Sequence, residues 1–161
     1  MFVNIIGFLG IGANALIYQQ KTGKRLLMLK LISDVLWALH YFLIGGYSAT
    51  VIAVLGVFRE SVFFNQDKKW AQSRLWLLLF IVISIIGSIL TLKGIFSLFP
   101  MLASVISVIS FGFNKPKLSR ILAIPISCLM MTYDIVFSSY MGIVNECFTL
   151  TSTIIALIRY S

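Results

Sequence analysis

Asp34, His40 and Arg59 fall inside two apolar runs joined only by the turn-forming stretch Gly45-Gly46-Tyr47-Ser48. His40 is the only histidine in the chain. Bilayer hydrocarbon disfavours each such group, by about 2.5–3.5 kcal/mol for Asp or Arg. Residues of this kind are therefore expected to be paired, cavity-facing, or both. At about 1.5 Å rise per residue, Asp34 lies roughly 12 Å from the basic end of its span, and Arg59 about 16 Å from the opposite end of the next. The two levels nearly coincide, which predicts an Asp34–Arg59 pair. Such a pair either forms a charged midplane site or simply fixes the packing of the second and third helices. Lys30, one turn before Asp34, competes as its partner or snorkels toward the surface.

A second layer follows from the same arithmetic. His40 and Asp134 both come out roughly 21 Å from the basic ends of their spans. Asn145 and Glu146, early in the last apolar run, reach that layer too. A histidine beside carboxylates can take up and release a proton near neutral pH. Intramembrane Asp, Glu and His chains mark proton relays in transporters. The same residues can instead make static hydrogen bonds between helices. Trp37, one turn before His40, either stacks on a flat solute or packs. Asn14, Thr149, Thr151, Ser152 and Thr153 line a cavity or bond one helix to another. The candidate cavity residues are thus Asp34, Trp37, His40, Arg59, Asp134, Asn145 and Glu146.

Positioning these residues needs helices of membrane-spanning length. The 161 residues are 60% hydrophobic and 11% charged, against about 25% charged in soluble domains. Too few charges remain to cover a water-facing surface, so an integral membrane protein is expected. A span needs about 20 residues, with about 17–25 tolerated. Seven runs qualify: about 3–19, 26–44, 48–64, 75–92, 96–113, 118–137 and 141–158. The first contains Gly7, Gly10 and Gly12, which permit close helix contact. The start Met1-Phe2-Val3-Asn4 lacks the basic region of a secretory signal, so the first run is expected to persist as a span. Trp70 and Trp76 flank the fourth run and read as interfacial anchors.

The formal charge of +8 sits mostly in short loops. Lys21, Lys24 and Arg25 follow the first run, Lys68, Lys69 and Arg74 the third, Lys115 and Lys117 the fifth, and Arg159 the seventh. Arg120 lies just inside the sixth, and Lys93 stands alone on the other side. The positive-inside rule then puts the N-terminus outside and the C-terminus in the cytoplasm, which requires an odd number of spans. Seven spans divide as three, one linker and three: repeat one about 1–66, the linker helix about 72–93, repeat two about 95–161. Ile32-Ser33-Asp34 echoes Ile126-Ser127-Cys128, and Gly45-Gly46-Tyr47-Ser48-Ala49 echoes Ser138-Ser139-Tyr140-Met141-Gly142. The echo falls in corresponding hairpins, as a parallel repeat requires.

The pattern His40-x-Phe42-x-x-Gly45-x-Tyr47-x-Ala49, followed by Phe58-Arg59, resembles the YgjV family of bacterial inner membrane proteins. So do Leu98-Phe99-Pro100 and Ile158-Arg159-Tyr160. More distantly, the layout resembles the SWEET and PQ-loop superfamily, which implies transport of a small solute through a central cavity. The chain departs from that pattern in having no Pro-Gln dipeptide. Pro125 alone lies well inside a run, whereas Pro100 opens one and Pro116 reads as loop.

Other classes are poorly supplied. One histidine, no Gly-x-Ser-x-Gly elbow, no HExxH helix and no phosphate loop argue against an enzyme. Cys128 and Cys147 lie inside apolar runs without metal-site spacing, so no metal or cofactor is expected. The basic residues form no stripe interleaved with stacking aromatics, which argues against nucleic acid. Expected partners are membrane lipids and a small polar solute, and the small size is compatible with a homo-oligomer. A non-transporting scaffold, its buried charges only holding helices together, is the competing expectation.

Overall fold

The computed structural model describes residues 2–43, 47–90, 95–136 and 140–160. Among them are seven α-helices: α1 (Phe2–Ile17), α2 (Gly23–Leu43), α3 (Tyr47–Phe64), α4 (Leu75–Leu90), α5 (Leu98–Gly112), α6 (Pro116–Val136) and α7 (Tyr140–Arg159). Short 3-10 turns at Lys69–Ala71 and Ile95–Ser97 lead into α4 and α5. Each helix falls on one of the seven apolar runs. Pro116 is not in a loop but opens α6, where its missing N–H would have had no partner in any case. Pro125 sits inside α6, where proline removes one helical hydrogen bond. The Gly45-Gly46 turn, Lys93 and Ser138-Ser139 lie outside the described residues.

Neighbours in sequence pack as neighbours in space. α2 lies between α1 and α3, and α6 between α5 and α7. α1 packs on α7, α3 touches α5, and α4 rests mainly on α5. The contacts thus close a circuit α1–α2–α3–α5–α6–α7–α1. Close approach of α1 and α2 depends on two glycines. A Cβ on Gly7 would stand 3.1 Å from the His40 ring, and one on Gly10 would stand 3.2 Å from Trp37, whereas Gly12 faces open space. Polar side chains close the α1–α7 seam. Asn14 donates to Asn145 Oδ1 at 3.0 Å, Gln19 donates to the Ser152 carbonyl at 2.7 Å, and the Ser152 hydroxyl donates to the Ala15 carbonyl.

Polarity is distributed in the opposite sense to a soluble fold. Leu9, Phe58, Leu79, Phe148 and Ile155 are exposed on the outside, while Ser33, Asp34, Arg59, Glu60, Asp134 and Glu146 are buried. α6 and α7 are long and apolar enough to cross a membrane, and α1, α4 and α5 contain shorter apolar segments. A smaller apolar core gathers where the basic loops emerge, built from Tyr18, Leu26, Leu27, Phe63, Phe111 and Ala156 with their neighbours. Arg120 clamps this end. Its Nε donates to the Tyr18 carbonyl at 3.0 Å and a terminal nitrogen donates to the Gln20 carbonyl at 2.7 Å, capping the exit of α1. Lys24 and Asp67 form an exposed ion pair across the same end at 3.3 Å, and the Lys24 hydrogen bond holds the Asp67 carboxyl below its usual range.

Candidate functional site

Helical spacing brings the ionisable residues of α2 and α3 inward together. On α2, Lys30, Asp34 and Trp37 recur at three- and four-residue intervals, so they share one face. Asp34 packs directly on α3, where only a glycine fits: a Cβ on Gly56 would stand 2.6 Å from Asp34 Oδ2. One turn further along α3 come Arg59 and Glu60, both buried.

The pairing differs from the Asp34–Arg59 contact expected from depth alone. Lys30 turns inward and its ammonium bonds Asp34 Oδ1, rather than snorkelling. Arg59 donates from Nε at 3.0 Å and from a terminal nitrogen at 2.8 Å, both to Glu60 Oε1. Asp34 stays within electrostatic range of Arg59 without being its partner. Glu60, fully buried, is the residue that spacing rules miss. Adjacent residues on a helix do not face each other, so position gives Arg59 no reason to choose it. The available signal was energetic: an acid and a base side by side in an apolar run neutralise each other where each alone is disfavoured.

Helices α6 and α7 contribute their own acids. A Cβ on Gly142 of α7 would collide with the Asp134 carboxylate of α6, so Asp134 repeats the acid-on-glycine contact of Asp34. Glu146 accepts a hydrogen bond from Asn145 Nδ2 at 3.0 Å and lies beside Ser127 of α6. It is within electrostatic range of both Asp134 and Lys30. Lys30 is also within electrostatic range of Glu60, and Tyr18 within that of Asp34, Glu60 and Glu146. Acids of α2, α3 and α7 are thus within electrostatic range of Lys30 and Tyr18.

His40 is held on the α1 side of α2. Its Nδ1 lies 3.1 Å from the Val3 carbonyl, and its ring packs edge-on against Trp37 at 5.4 Å. Trp37 packs on Gly10, not on an open surface. Thr149, Ser152 and Thr153 face inward, whereas Thr151 is exposed and bonds the Cys147 carbonyl of its own helix. A pocket of about 230 Å³ lies at the ends of α3 and α5, bordered by Gln66, Arg74 and Gly112, and none of the seven expected residues lines it.

The decisive comparison is with protein families. The family model described as Imp-YgjV, bacterial inner membrane protein, matches residues 1–161. The chain belongs to this family. As an Imp-YgjV member it is a bacterial inner membrane protein, which accounts for an exterior of leucine, isoleucine and phenylalanine around a charged interior. No curated protein and no solved structure matches the Imp-YgjV chain.

Proposed function

We propose that this Imp-YgjV protein is a seven-span transporter or facilitator of a small polar solute. Its N-terminus lies outside and its C-terminus in the cytoplasm, and two three-helix units, joined by α4, enclose a midplane site. One observation carries the reading. Asp34, Glu60, Asp134 and Glu146, four of the five acids in the chain, are buried in the bundle and contributed by both triplets. Ionisable residues within membrane segments mark substrate and ion pathways. The matched packing of α2 on α1 and α3, and of α6 on α5 and α7, supports a parallel repeat of the kind used by small facilitators. Alternating exposure of the interior would move the solute, and the buried carboxylates offer groups for proton coupling. A distant SWEET-like mechanism fits the layout. Bulk lipid and solute are the partners, with no enzymatic step and no nucleic acid.

One observation favours the scaffold instead: Lys30–Asp34 and Arg59–Glu60 are neutral pairs made within single helices. The two readings differ in whether the interior meets water. Ser127→Cys and Thr149→Cys, each in a background without Cys128 and Cys147, are treated in cells with a membrane-impermeant maleimide. Transport predicts labelling that changes when the solute is added. Complete protection of both folded variants, with labelling restored only on denaturation, would leave the scaffold.

A further inference from the structure

Two buried acids of the interior, Asp34 and Glu60, each keep one carboxylate oxygen that no hydrogen bond meets. Half-buried Lys30 bonds Asp34 and buried Arg59 bonds Glu60, while the buried Arg120 is held by the Tyr18 and Gln20 carbonyls and the Tyr160 ring. Each resident base also leaves half of its carboxylate unused. Lys30 bonds Asp34 Oδ1 and leaves the buried Oδ2 without a hydrogen bond. Both Arg59 donors go to Glu60 Oε1 and leave the buried Oε2 without one. Independently of the acids, the Thr149 and Thr153 hydroxyls on the inner face of α7, one and two turns beyond Glu146, are buried without a partner. Buried acceptors of this kind are costly unless a donor reaches them.

Lys30 shows which donor fits. Its primary ammonium sits between the Asp34 carboxylate and the Phe111 ring of α5, 5.9 Å from the ring centroid. A carboxylate paired with an aromatic face is a recurrent way to bind an ammonium group. The lysine stem is long and flexible, and its ammonium is also within electrostatic range of Glu60 and Glu146. It can therefore withdraw from Asp34 toward another acid without becoming unpaired. An anionic solute would meet four carboxylates. Among the described residues no three His, Cys, Asp or Glu side chains are placed to hold a metal ion.

We propose that the solute is a small protonated amine, which takes the place of the Lys30 ammonium at Asp34 and donates to the unused oxygens of Asp34 and Glu60. This rests on the transport reading for its movement but not for its binding, so binding is measured first. Purified full-length protein in detergent is heated with methylammonium chloride, sodium chloride or sodium acetate at equal ionic strength. Methylammonium is expected to raise the unfolding midpoint by several degrees over sodium chloride, and acetate to leave it unchanged. Lys30→Gln removes the resident competitor and should tighten methylammonium binding, by about tenfold if the lysine occupies the site nine-tenths of the time. The charge-neutral double variant Lys30→Gln with Asp34→Asn should lose the effect. An equal gain from sodium, a gain from acetate, or no response in either wild type or Lys30→Gln would each overturn the amine assignment. Methylammonium binding without its uptake into proteoliposomes would overturn transport while leaving the cation site in place.

Discussion

Glu60 is fully buried and takes both donors of Arg59 on one oxygen. Breaking a buried pair from one side leaves a charge without compensation, which costs about 3–5 kcal/mol, whereas replacing both partners by apolar residues is often neutral. Glu60→Met should therefore destabilise the folded protein by about that amount, and Arg59→Met with Glu60→Met should recover most of the loss. Thermal unfolding in detergent measures both. A double variant that regains stability but not transport would assign the pair to function, and one that regains both would assign it to packing. The same chemistry explains why Lys30 does not snorkel. Asp34 lies one turn away on the inner face, and bonding it removes two unpaired charges from the interior at once.

At the scale of elements, glycine placement decides which helices meet. α3 presents Gly56 to Asp34 and α7 presents Gly142 to Asp134, so each acid lies against bare backbone of the following helix. Gly56→Ala would place a methyl 2.6 Å from Asp34 Oδ2 and disturb the Lys30 bond. We expect it to lower stability by about 1–3 kcal/mol, the usual range for overpacking. Gly12→Ala meets nothing within 4 Å and should be neutral or gain up to about 1 kcal/mol of helix propensity. Comparing the two unfolding midpoints separates crowding from propensity. Equal effects would contradict the close approach of α2 and α3. The ion pair Lys24–Asp67 is exposed and contributes little to stability. Because the Asp67 pKa is lowered on folding, that contribution is present above the usual Asp range and fades as pH falls through the lower value.

For the whole molecule, an apolar exterior, a polar interior and a basic rim agree with an inner membrane location, as the family match states. The proposed seven-span topology puts Lys21, Lys24, Arg25, Lys68, Lys69, Arg74, Lys115 and Lys117 on the cytoplasmic side. A fluorescent reporter that matures only in the cytoplasm should light up when fused after Ser161, and alkaline phosphatase, active only outside, should work when fused before Met1. The reverse pattern would reject the orientation, and two cytoplasmic ends would reject an odd number of spans. The apolar core and the Arg120 clamp gather at the basic end, with the buried Tyr18 part of that core.

The helices were legible in the sequence because each is a continuous apolar run bounded by charged or turn-forming residues, and that pattern is local. All seven α-helices lie on the runs read from composition, with ends shifted by at most three residues. The burial of Asp34, Trp37, His40, Arg59, Asp134, Asn145 and Glu146 was legible for a related reason: polar groups in an apolar run are driven away from lipid. What the sequence could not decide was who pairs with whom. Depth is a one-dimensional quantity, and it set Asp34 level with Arg59. Pairing also depends on the rotation of each helix and on reach along its own surface, and there Lys30 and Glu60 are nearer. Only the packed bundle, with Gly56 and Gly142 setting how closely the helices approach, fixes those rotations.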